Sequence, residues 1–120
     1  MDQACREVMT HVDGAVACAI VDLDARRLIG FHAHERTEEL EAAVLAATLA
    51  LLYRSPKAAS GSARLRAHEA HVTSEHGYHF AKVLEGGKAA VMLVTNRTAN
   101  AGMGSAQLRA AIPKVKAVVP

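Results

Sequence analysis

Aromatic residues are scarce in this chain: two tyrosines, two phenylalanines and no tryptophan among 120 residues. Proteins that grip single-stranded nucleic acid stack bases on aromatic rings, so that class is disfavoured at once. Charge of one sign is lacking too. Fourteen basic and twelve acidic residues leave a formal net charge of +2, spread along the chain, which is weak attraction for a polyanion and speaks against nucleic acid as a partner. Cysteine occurs only at Cys5 and Cys18, outside any C-x-x-C pair. No disulfide framework is available, and the natural reading is two free thiols in a reducing compartment. No uncharged apolar run reaches the ~18 residues of a membrane span, and the acidic start Met1-Asp2-Gln3 does not resemble a signal peptide. The expectation is a cytoplasmic protein without membrane insertion.

What the chain has in abundance is small aliphatic surface. Hydrophobic residues make up 51%, and 25 of the 120 residues are alanine. That balance is globular, and the length suits one domain spanning residues 1–120 with a layered core of closely approaching elements.

The pattern of elements is readable. Residues 2–11 carry Ala4, Val8 and Met9 among polar neighbours and stop near Asp13-Gly14, as a short amphipathic helix does. Residues 15–21, Ala-Val-Ala-Cys-Ala-Ile-Val, are apolar on both alternating faces, the mark of a strand covered above and below. The polar turn 22–26 leads into a second strand over 27–34, making a hairpin. Thr37-Glu38-Glu39-Leu40 starts a long helix to about Arg54, with Thr37 as N-cap and acids in the first turn. Residues 55–67, rich in Pro, Gly, Ser and basic residues, read as a mobile connection. Three more strands are expected over 68–75, 78–84 and 89–95, the first with a wet face and the last apolar on both faces. A final amphipathic helix is expected to kink or restart at Pro113. The fold class is therefore α+β, helix-β-β-helix-β-β-β-helix, with helices on both faces. Its five-stranded antiparallel sheet has the order 2-1-5-4-3 and leaves the polar third strand at an edge that invites a partner strand.

The long helix is the anomaly. Projected at 100° per residue, Leu40, Val44, Ala47 and Leu51 form one stripe, while Leu45, Leu49 and Leu52 form another. One stripe covers the sheet and the second has nothing to cover within so small a protein, which points to self-association.

Motifs that carry chemistry are missing. His32-Ala33-His34 could present two imidazoles from one strand face, but no third ligand has the spacing to complete a metal site. Gly86-Gly87-Lys88 lacks the phosphate-loop frame and reads as a hairpin turn. No G-x-S-x-G frames a serine, and Cys18 lies within an expected buried strand. Neither a cofactor, a metal nor an enzyme activity is expected. The basic residues Arg54, Lys57, Arg64 and Arg66 are candidates for contact with an acidic partner surface.

Three local patterns, together with the element order, carry a resemblance. They are Gly14-Ala-Val-Ala-Cys-Ala-Ile-Val-Asp22, the Ala/Leu-rich helix after Thr37-Glu-Glu-Leu-Glu, and the Asn100-x-Gly102 approach to the last helix. Over residues 2–118 the chain resembles the roadblock/dynein light chain family, departing from it in Pro113 and the His-rich third and fourth strands. The resemblance implies a profilin-like fold and a homodimer or heterodimer built by the long helix and the third strand. Leu45, Leu49, Leu52, Ala70, His71, Val72 and Thr73 would lie at its interface. It further implies a noncatalytic regulator of a Ras-like small GTPase in a bacterial signalling or polarity module. A small-ligand or metal sensor of PAS/GAF-like type, or a pure assembly scaffold, are the alternatives.

Overall fold

The structure, a computed structural model, describes residues 1–12, 14–35, 37–53, 69–73, 77–84, 86–96 and 101–117. The elements are α1 (Asp2–Thr10), β1 (Ala15–Asp22), β2 (Arg27–Ala33), α2 (Glu38–Leu52), β3 (Glu69–Thr73), β4 (Gly77–Val83), β5 (Ala89–Asn96) and α3 (Ala101–Lys116). All strands pair antiparallel in the order β2-β1-β5-β4-β3.

That order follows from two hairpin systems joined by one crossing helix. Asp22 closes the first hairpin: its carboxylate accepts from the backbone N–H groups of Asp24 and Ala25, both at 3.0 Å. The second turns on Gly86 and Gly87, whose φ angles of 95° and 75° lie in the left-handed region that glycine enters without a Cβ penalty. Leu23 N–H donates to Lys88 O at 2.9 Å and ties the two turns together at one end of the sheet.

Both faces are covered. Cys18, Ile20, Phe80, Val91 and Leu93 form one core with α1 and α3, and Ala17, Ala19, Val21, Phe31, Ala90 and Met92 form another with α2. The alternation along β1 and β5 supplies both sets from the same strands, which is why these two read as apolar throughout. Cys5 of α1 and Cys18 of β1 are free and buried. The hydrogen bond shared with Cys5, burial and the nearby Cys5 sulfur hold the Cys18 thiol well above its ordinary range, so Cys18 is not a ready nucleophile.

The last helix does not restart at Pro113, one of the two outcomes expected there. It runs through the proline as one helix to Lys116, with Val115 fully buried beyond it. Pro113 stands close to the C-terminal end, so the ring removes one late backbone bond while docked Val115 holds the final turn in place. Among the described residues no helix is long and apolar enough to cross a membrane.

Candidate functional site: the outer face of α2 and the β3 edge

Helix α2 begins as its sequence dictates. Thr37 is extended, and its hydroxyl accepts from Leu40 N–H at 3.0 Å, with Glu38, Glu39 and Glu41 in the first turn. Beyond Glu41 the helix carries a single polar residue, Thr48. That residue faces inward: it is 0% exposed, and its hydroxyl donates to Val44 O at 2.8 Å. Bonding back along the helix satisfies the buried hydroxyl without a partner from the sheet.

The inner row is Val44, Thr48 and Leu52, spaced by four. Leu52 is 0% exposed in the core beneath α2, which corrects its expected place on an outer stripe: a side chain with no surface left cannot meet a partner. Leu45 and Leu49 lie half-buried on one flank, with Leu40, Ala47 and Leu51 half-buried on the other. The outward face is Ala42, Ala43, Ala46 and Ala50. A helix on the surface of a globular protein normally turns polar residues outward, and one that is apolar all round is normally buried. Alanines also let a second helix approach closely, because interaxial distance depends on the side chains at the contact.

Beside this face lies the sheet edge. β3 pairs with β4 alone among the described strands, and none of its five residues is buried. Ala70 and Val72 are half-buried, whereas Glu69, His71 and Thr73 are exposed on the other face. His71 stacks on Phe80 at 5.5 Å between centroids. Glu69 is held by Arg109 of α3, at 3.0 Å, and by Lys82 of β4, at 3.6 Å. Slight desolvation acts upward on its carboxyl, but the Arg109 hydrogen bond and the two cations together outweigh it and leave the group below its ordinary range. These contacts fasten the edge strand to α3 and leave its outer backbone row toward solvent among the described residues.

The opposite edge is treated differently. The Asp2 carboxylate accepts from Phe31 N–H of β2 at 2.9 Å, and a Cβ on Gly30 would meet Met1 within 3.2 Å. The chain start thus caps β2, one of the ways native sheets blunt an edge.

Arg26, a non-glycine residue with a left-handed φ of 55°, lays its guanidinium over the Tyr53 ring at 5.3 Å. Tyr53 is 39% exposed at the end of α2, and Arg27 and Lys88 are exposed at the same end of the sheet. Sequence reasoning missed this cluster because the hairpin and the helix end are distant in sequence. The basic residues it favoured instead, Arg54, Lys57, Arg64 and Arg66, lie outside the described residues, as does the 55–67 connection. No group of three potential metal ligands occurs among the described residues. A cavity of about 350 Å³ opens between α1 and α3, and its lining, with Val8, His11 and Ala111, holds no phenylalanine, tyrosine or tryptophan.

No family model matches the sequence, and no curated protein sequence matches it significantly. Solved structures do match in shape. A Roadblock/LC7 domain from Streptomyces avermitilis superposes with a TM-score of 0.75 at 14% identity, covering 97% of this chain and 94% of that one. The fold is that of a roadblock/LC7 domain. MglC from Myxococcus xanthus gives 0.68 at 22% identity, over 98% of this chain and 97% of its own. Myxococcus xanthus MglB gives 0.71 at 9%, over 98% and 92%, and an MglB in a tetrameric arrangement also matches, at 0.66 and 16%, over 94% and 82%. The element order and sheet order expected for a roadblock domain are therefore present at full length. The likeness is one of fold, carried by hydrophobic pattern with little residue identity.

Proposed function

We propose that this chain is a noncatalytic regulator that works as a dimer and docks a Ras-like small GTPase. The observation that carries the reading is the outer face of α2, where no polar side chain faces water between Ala42 and Leu52. The β3 edge adds a second self-complementary element, because α2 packs against β3 and a twofold axis there would join both pairs at once. Leu45, Leu49, Ala46 and Ala50, with Ala70, His71, Val72 and Thr73, would form the contact. Leu52 supports it from beneath.

A roadblock fold with a helix pair of this kind offers a composite platform. GTPase docking is supported by the resemblance to roadblock proteins and by the likeness to MglB and MglC. The Arg26–Tyr53 pair offers the partner an aromatic and arginine surface of the kind that anchors interfaces. The test is co-elution with Ras-like GTPases encoded beside this chain, each loaded with GDP or with a nonhydrolysable GTP analogue. Complex formation in one nucleotide state supports regulation; its absence in both states removes the GTPase and leaves an assembly scaffold. Tyr53→Ala should weaken binding about tenfold or more if this end of the platform is used.

A further inference from the structure

We infer that His79 makes the dimer contact acid-labile, so that protonation of its imidazole separates two copies of this chain. The inference rests on the dimeric reading above and names a regulation of that same surface.

His79 lies on β4, directly between Val72 of β3 and Val94 of β5. Alternation along β4 puts it on the α2 side of the sheet with Ala81 and Val83, both part of the core beneath that helix. It is half-buried, as are Val72 and Val94. The imidazole therefore sits one strand in from the open edge, flanked by apolar side chains whose remaining exposure a second copy would remove.

Among the described residues, the α2 side of β3, β4 and β5 carries no charged side chain beside His79. Glu69 and Lys82 are paired with each other across the opposite face, with Arg109 of α3, and His71 stacks on Phe80 there. On α2, the helix above, the charged residues are Glu38, Glu39 and Glu41 of the first turn. Burial pushes the His79 imidazole below its ordinary value, and no charged group among the described residues shares in that shift.

The sign follows from linkage. A histidine depressed by burial stabilises the buried state above its free value, near 6.5, and that stability is lost as pH falls through the depressed value. Association dries the imidazole further, so the monomer binds protons more readily than the dimer. Each dimer contains two such groups, which doubles the proton dependence.

Sedimentation velocity of the full chain at about pH 8 and about pH 5.5 tests this, with His79→Gln and, on the opposite face, His71→Gln as comparisons. The wild-type dissociation constant should weaken about tenfold or more on acidification. His79→Gln should flatten that response and His71→Gln should keep it. A wild-type dimer indifferent to pH, or a His79→Gln dimer with the full response, overturns the inference while leaving the dimer standing. A monomer already at pH 8 overturns both. If His79→Gln does not fold, the His79 ring proton in wild-type NMR titrations decides. Its midpoint should fall as protein concentration rises, and a midpoint independent of concentration refutes the switch.

Discussion

Replacing Leu52 by alanine, compared with replacing Leu49 by aspartate, separates what the core of one chain needs from what association needs. Leu52 is fully buried against the α2-side core with Val44 and Thr48, so its truncation removes contacts that no neighbour can replace without moving the helix. Fully buried Leu→Ala changes cost roughly 2.7 to 5 kcal/mol, the spread reflecting how far the site collapses. The C-terminal turn of α2 has Tyr53 N–H bonded to Leu49 O at 3.0 Å and is anchored at its far side by Arg26 stacking, which limits collapse and favours the middle of that range. Leu49 is only half-buried, so Leu49→Asp leaves most of this core in place and instead puts a charge on the flank of the alanine face. Urea unfolding at two protein concentrations about a hundredfold apart reads both effects through their midpoints. Leu52→Ala should lower stability by about 3 to 4 kcal/mol at both concentrations. Leu49→Asp should abolish the concentration dependence while the low-concentration midpoint shifts little. A cost below about 1 kcal/mol for Leu52→Ala would refute the placement of the helix.

Three further outcomes follow from single contacts. Gly77→Ala would press a Cβ into Thr95 O and put it 3.0 Å from Asn96 Cα, both backbone, so the β4–β5 pair must shift; thermal unfolding should show a loss of about 3 kcal/mol or more. Arg109→Ala removes a partly exposed partner of Glu69, which should cost a few tenths to about 1 kcal/mol near neutral pH. Because Glu69 is held below its ordinary range, that difference should vanish as acid protonates the carboxylate, a pattern visible in denaturation midpoints at several pH values. Asp2→Ala removes the carboxylate that accepts from Phe31 N–H at the β2 edge; amide exchange at Phe31 should quicken, with a stability loss of about 1 kcal/mol.

The sheet was legible in the sequence for a definite reason. Residues 15–21 and 89–95 are apolar on both faces and so belong in the middle, while the alternation at 69–73 belongs at an edge, and one crossing helix allows a single order. Thr37 announced its cap in the same way. The phase of α2 was not legible. Its run from Ala42 to Leu52 offers only Thr48 as a marker, and a threonine is ordinarily taken to face water; here back-bonding to Val44 lets it face the sheet, which rotates Leu52 inward and turns alanines outward. The contacts Asp2–Phe31, Glu69–Arg109 and Arg26–Tyr53 join residues far apart in the chain and leave no local pattern to read. Pro113 does not end the helix, because a proline removes a single backbone bond and the buried Val115 beyond it docks the final turn.

The alanine face of α2 would be an unsheltered oily surface if one chain stood by itself. Light scattering on untagged protein across a concentration series measures this directly. A mass of twice 12.7 kDa, returning to 12.7 kDa when Ala46 is replaced by glutamate without loss of helix content, is the predicted result. A wild-type mass of 12.7 kDa at every concentration would contradict it.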